Sequence, residues 1–183
     1  PYTDENEYKE IINCQEHLDK ALEIGSEKVC VLGEIIHNET VLENLSKKGV
    51  KTVDTIEEID KSKFDTVIIR SHGVGKKVLQ DLESKNLKVV NLTCPFVIKT
   101  QKIVEEYFLK GYQIIIVGKS DHPEVVGING WCDNSAIVVD DENFTLDGFL
   151  ADKFCIVAQT TYSEEKFNKI LKKIAITPHK TVD

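Results

Sequence analysis

Lys88–Lys110 reads KVVNLTCPFVIKTQKIVEEYFLK. The opening KVVN is a short β-branched run that suits a strand. Pro95 then stops extended pairing and suits the first turn of a helix, where its missing N–H costs nothing. Phe96–Lys110 follows at helical spacing and ends in Lys110-Gly111, a cation in the last turn and a glycine beyond it. Strand, strand-end loop and helix together make one step of a parallel α/β layer.

The same grammar runs outward in both directions. Further strands are expected at Lys28–Leu32, Lys51–Val53, Asp65–Ile69, Gln113–Val117, Ala136–Val139 and Phe154–Val157. Most are continuously apolar rather than alternating, as in a parallel sheet covered on both faces. Helices are expected over Glu7–Ile24, Asn38–Lys48, Val74–Lys85 and Ser163–Ile174, while the tail Ile176–Asp183 reads as irregular. About four strands precede a seam near Thr93–Pro95, and three or more follow it. The expected fold class is therefore α/β, with two similar domains holding small parallel sheets, 1–93 and 94–183. One doubly wound sheet is the alternative.

Composition agrees with a globular chain. Of 183 residues, 41% are apolar and 30% charged, too apolar for disorder, and no run is long enough to cross a membrane. Lys plus Arg number 23 against 31 Asp plus Glu, a net charge of −8. That balance argues against a nucleic-acid binder or a membrane-surface protein. Any anionic ligand must then be met by a local constellation. There is no methionine, so residue 1 is expected to follow processing or excision. The polar, acidic opening PYTDENEYKE is no signal peptide. Five cysteines, an odd number without short paired spacing, favour free or cluster-binding thiols in a reducing cytoplasm.

Ligands of open parallel sheets bind beyond the carboxyl ends of the strands. The loops there read Gly33–Asn38 (GEIIHN), Arg70–Gly73 (RSHG), Asn91–Pro95 (NLTCP), Gly118–Glu124 (GKSDHPE) and Ala158–Thr161 (AQTT). They contain His37, His72 and His122, along with Cys94, Glu124, Gln159, Thr160 and Thr161. Cys94 and His122 each precede a proline, so each belongs at a helix N-terminus, where negative charge is favoured. Cys94 reads as a thiolate nucleophile or metal ligand; the alternative is a small buried hydrophobe. The histidines can donate to a phosphate or diphosphate, or merely cap their loops. Glu124 either complements the helix dipole or, if buried beside a ligand, donates a proton. Ser163 reads as a helix cap, Cys30 and Cys155 as core, and His17 and His179 as surface.

The segments IIHNETV, RSHGVG, NLTCPFVIKTQ, HPEVVG and QTTYS resemble, in order and approximate spacing, those of the LytB family of 4-hydroxy-3-methylbut-2-enyl diphosphate reductases. The resemblance covers roughly Ala21 to Ile174. It implies three similar α/β domains around a [4Fe–4S] cluster held by three cysteines. It implies that Cys94 is one of those ligands and that His37, His72 and His122 hold the diphosphate. It implies that Glu124 feeds a proton relay to the substrate hydroxyl with Thr160 as neighbour, and that Gln159 and Thr161 line the same loop. The implied reaction is a reductive dehydroxylation of an allylic diphosphate by two electrons and two protons. It yields isopentenyl and dimethylallyl diphosphates in the cytoplasm, with a ferredoxin or flavodoxin as donor.

The sequence departs from the family in places. Where the family has Gly-Phe-Cys-x-Gly-Val, this chain reads Glu10–Gln15 (EIINCQ), so the first ligand role does not carry to Cys14. Glu34 stands where proline is usual. The family's third domain, with its cysteine and Asn-x-Ser segment, has no counterpart in these residues. This chain alone is therefore expected to be inactive, as part of a reductase. The alternatives are a non-catalytic diphosphate- or anion-binding fragment, or a divergent relative.

Overall fold

The computed structural model describes residues 28–33, 47, 49–145 and 153–176. The expected helix Glu7–Ile24, nearly all of Asn38–Lys48, and the residues Cys14, His17, Glu34, His37 and His179 lie outside them, as do residues 177–183 of the tail. The chain divides into two compact units, Pro1–Pro95 and Phe96–Asp183.

In the first unit, β1 (Val29–Leu32), β2 (Lys51–Val53), β3 (Thr66–Ile69) and β4 (Lys88–Asn91) form a parallel sheet in the order β2-β1-β3-β4. Both central strands are buried along their whole length. Successive residues feed opposite faces, as the pleat requires. Cys30, Leu32, Val67 and Ile69 pack with Leu82 and Phe64, whereas Val29, Val31 and Ile68 pack with Val50 and Val90. Unbroken apolar runs are what a sheet covered on both faces needs.

Helix α1 (Lys76–Ser84) begins two residues later than its spacing suggests, because Val74 and Gly75 precede the first turn, with Gly75 extended at the N-cap. It ends in a left-handed Asn86 (φ 52°). Asn86 N donates to Glu83 O and Leu87 N to Leu82 O, the paired bonds of a Schellman cap. This turns the chain straight into β4.

In the second unit, β5 (Gln113–Val117), β6 (Ile137–Val139) and β7 (Phe154–Ala158) are parallel in the order β6-β5-β7. Helix α2 (Pro95–Leu109) starts at Pro95 and closes at Lys110-Gly111. Gly111 has φ 80°, its N donates to Phe108 O, and Tyr112 N donates to Tyr107 O. The Tyr107 and Tyr112 rings meet edge to face, 5.0 Å between centroids, which supplies the apolar contact such caps favour. Two further helices follow, α3 (Pro123–Asn129) and α4 (Glu164–Ile176). Ile115 and Val117 pack against Val139 and against Ile170 and Ile174 of α4.

Register sets where the loops emerge. Leu32 pairs with Ile69 and Ile69 with Asn91, so three strands of the first sheet end in line. Val117 pairs with both Val139 and Ala158, which aligns the second sheet in the same way.

Ile115→Ala is expected to destabilise the second unit by about 2–5 kcal/mol, since the cavity lies in a closed core. Urea unfolding followed by fluorescence of Trp131, the sole tryptophan, measures it. Burial pushes the Cys30 thiol up to about 11, so the fold favours its protonated form. That contribution is complete below the ordinary thiol range and is lost as pH rises toward 11. Wild-type stability should therefore fall more steeply between pH 9 and 11 than that of Cys30→Ala, in parallel urea titrations.

Candidate active site

In the second unit, the segment after β5 runs through a turn in which His122 N donates to Lys119 O at 3.0 Å. His122 is the N-cap of α3, with Pro123 in the first turn. The proline pre-sets the helical φ, and the imidazole satisfies one orphan donor of that turn. Its Nδ1 accepts from Glu124 N at 3.2 Å. An accepting Nδ1 carries no proton, so the neutral ring holds its N–H on Nε2.

One residue into that helix, Glu124 is buried, only 2% exposed. Its carboxylate accepts two bonds from a single residue of the next strand-end loop. Oε1 takes Thr160 N at 2.6 Å and Oε2 takes Thr160 Oγ1 at 2.9 Å. A buried carboxylate requires such partners. Here they also form a continuous path, carboxyl to hydroxyl, from a buried group to the exposed Thr160. A carboxyl bonded to an exposed hydroxyl can exchange a proton with it.

Around this pair the backbone is crowded. A Cβ on Gly118 would lie 2.8 Å from Val125 Cγ2 and 2.9 Å from Gln159 Cβ. Gln159 is itself buried, and its Nε2 donates to Thr161 Oγ1 at 2.9 Å. The sequence readings placed Gln159 and Thr161 in one loop without showing that they bond. The signal that could have exposed the crowding is a glycine directly after four fully buried β5 residues.

In the first unit, Gly33 follows β1 with φ +76°, and an added Cβ would come within 2.8 Å of Arg70 Nη1. Residues Arg70–Gly73 make a turn closed by Gly73 N donating to Arg70 O, and half-buried His72 sits within it. Cys94 N donates to Ser71 O at 2.9 Å, tying the loop after β4 to this turn. Just before it, Asn91 Oδ1 accepts from Thr93 N at 3.0 Å and from Thr93 Oγ1 at 2.5 Å. This Asx turn, which the sequence readings missed, orients the backbone leading into Cys94. An Asn two residues before a buried Thr at a strand end was the available signal. Among the described cysteines, Cys94 is half-buried, whereas Cys30, Cys132 and Cys155 are buried. Burial pushes the thiols of all three buried ones up.

The structure thus joins His122, Glu124 and Thr160 in one bonded cluster, with Gln159 and Thr161 beside it. His72 and Cys94 lie on neighbouring loops of the other unit. For an iron–sulfur cluster the fit is partial. Cys94 has the partly exposed thiol a ligand needs, yet a cubane takes several thiolates. Among the described residues, no three His, Cys, Asp or Glu side chains are grouped so as to hold a metal ion.

Two outcomes test this geometry. Iodoacetamide at pH 8 should alkylate Cys94 well before Cys30, Cys132 or Cys155, as read by peptide mass spectrometry, because the thiolate reacts and burial suppresses it in the latter three. Gly118→Ala should cost about 1–3 kcal/mol of stability in thermal or urea unfolding, since Val125 and Gln159 must both move.

Comparison with known proteins identifies the family. The family model described as LytB protein matches residues 12–182. A 4-hydroxy-3-methylbut-2-enyl diphosphate reductase of Thermoanaerobacter sp. (strain X514) is 50% identical over 150 residues, covering 81% of this chain and 52% of that relative. The reductase of the same name from Alkaliphilus oremlandii is 46% identical over 158 residues, 80% of this chain and 56% of that protein. A solved structure of (E)-4-hydroxy-3-methyl-but-2-enyl diphosphate reductase, described as the terminal enzyme of the non-mevalonate pathway, superposes with a TM-score of 0.75 at 34% identity. It covers 91% of this chain and 59% of that one. The reductase from Plasmodium falciparum, at 24% identity and TM-score 0.76 over 90% of this chain and 52% of its own, shares the fold. The chain spans about half the length of the curated relatives it matches. With 171 consecutive residues matched by the family model, 12–182, and an α/β architecture of two small parallel sheets, the chain belongs to the LytB protein family.

Proposed function

We propose that this chain contributes the proton-delivering and part of the diphosphate-holding machinery of a 4-hydroxy-3-methylbut-2-enyl diphosphate reductase. The observation that carries the reading is the buried Glu124 carboxylate bonded to both the N–H and the hydroxyl of Thr160. The names of its relatives supply the substrate class.

The reaction replaces a C–OH bond by C–H. The allylic alcohol takes up two electrons and two protons, the C–O bond breaks, and the oxygen leaves as water. A hydroxyl is a poor leaving group until it is protonated, and this is the task assigned to Glu124. In its protonated form Glu124 donates from Oε2 to Thr160 Oγ1, the hydroxyl reversed from the orientation in which it donates to the carboxylate. Thr160 passes its own proton on to the substrate hydroxyl, while Thr160 N holds Oε1 in place. His122 donates from Nε2 toward the diphosphate, its orientation fixed by the cap bond to Glu124 N. His37 and His72 serve the same anion, and Thr161 lines the loop.

Cys94 is assigned as one thiolate ligand of a [4Fe–4S] cluster, with the rest of its ligands beyond the described residues. The cluster, when bound, supplies the electrons, received from a small carrier such as a ferredoxin or flavodoxin. Such thiolate chemistry suits a reducing cytoplasm. No helix among the described residues is long and apolar enough to cross a membrane.

The test is iron and acid-labile sulfide content after anaerobic reconstitution, on this chain and on Cys94→Ser. Iron and sulfide present in the first and lost in the second support the ligand role. Equal metal content in both overturns it. In the complete reductase, Glu124→Gln should retain diphosphate binding within a few-fold while turnover drops by about 10²-fold or more, the scale of a lost general acid. Full activity in that variant would remove Glu124 from the relay.

A further inference from the structure

The Gln159 carboxamide joins two loops that are 40 residues apart in sequence. Its Oε1 accepts from Lys119 N at 3.3 Å, in the loop after β5. Its Nε2 donates to Thr161 Oγ1 at 2.9 Å, in the loop after β7. The residue is 6% exposed, and its own N donates to Val117 O at 2.8 Å, continuing the β5–β7 ladder. The approach is so close that a Cβ on Gly118 would lie 3.0 Å from Gln159 Oε1. One of these loops leads to His122 and Glu124, and the other carries Thr160.

We propose that Gln159 is a positioning residue that latches the Lys119 loop to the Thr161 loop and so sets the Glu124–Thr160 relay, rather than a group that binds substrate. Its role as a part of catalysis rests on the reading of that pair as the proton relay. An amide oxygen and an amide nitrogen buried in a crowded site must both find partners. Here both partners are backbone or side-chain groups of the two loops, so the amide's bonding is directed to holding them together. Thr160 lies between Gln159 and Thr161, both fixed by this amide. Its N–H and hydroxyl are thereby held at the spacing that matches the two oxygens of Glu124. Loosening the latch should release a bond Gln159 does not itself make.

Amide hydrogen exchange by NMR on this chain reads that directly and needs no turnover. In Gln159→Leu, exchange at Lys119 and at Thr160 should each speed up by about tenfold or more, while Ile115 and Ile116 in the β5 core remain protected. Gln159→Glu should restore protection at both, because a carboxylate can accept from Lys119 N and from a reversed Thr161 hydroxyl. Should Gln159→Leu fail to fold, Thr161→Val removes one arm of the latch at an exposed side chain, and Thr160 exchange should rise several-fold. Unchanged exchange at Thr160 in the Leu or Val variant, or no rescue by Glu, overturns the proposal. The reductase reading stands or falls separately, on the iron and turnover measurements above.

Discussion

The pairing of Val117 with Ala158 in the β5–β7 ladder is the constraint on which the candidate site depends. Parallel strands in that register end side by side, so Gly118 and Gln159 become neighbours. Once they are, everything beyond them is closely determined. Gly118 tolerates no side chain, the amide of Gln159 finds Lys119 N and Thr161 Oγ1, and Thr160 meets Glu124. A one-residue slip would invert every side chain of β7 between the two faces of the sheet. It would bury what the site needs and leave Glu124 a buried carboxyl without partners.

The two units solve the same problem with different local chemistry. Each is a parallel sheet whose strands end in line and whose next loop is held by one specific hydrogen-bonded turn. In the first unit the turn is held by Asn91 on Thr93, with Cys94 N bonded to Ser71 O. In the second it is held by His122 on Glu124 N and by Glu124 on Thr160. Both Cys94 and His122 stand immediately before a helix that opens with proline. The proline leaves one fewer orphan N–H at the helix start and limits the conformations open to the residue before it. A hydrogen-bonded flanking turn, rather than a Gly-rich loop, is how this chain presents Cys94 and His122.

Chain entropy explains why Glu124 is held so completely. Ordering a glutamate side chain and removing its carboxyl from water both cost free energy. The two bonds from Thr160 offset that cost only while the β7 loop stays in place. The site is thus bound to the integrity of the sheet, and the core residues Ile115, Val117 and Ile170 act at a distance on the Glu124–Thr160 pair above them.

Much of the fold was legible in the chain itself. The unbroken apolar runs at β1, β3 and β5 announced parallel strands covered on both faces, and Pro95, Pro123 and Gly111 marked helix ends, because these signals act within a few residues. Capping explains the misses: the left-handed Asn86 cap and the extended Gly75 depend on what the neighbouring helix end needs. The strand-end loops could likewise be named as the place for His72, Cys94, His122, Glu124 and Thr160 before any coordinates. Tertiary structure alone decided which of those residues touch. Glu124 and Thr160 are 36 positions apart, and Gln159 and Lys119 are 40 apart. No local rule joins them. Only the choice of strand partners and their register, settled by burial of both sheet faces at once, brings a carboxylate on one loop to a hydroxyl on another.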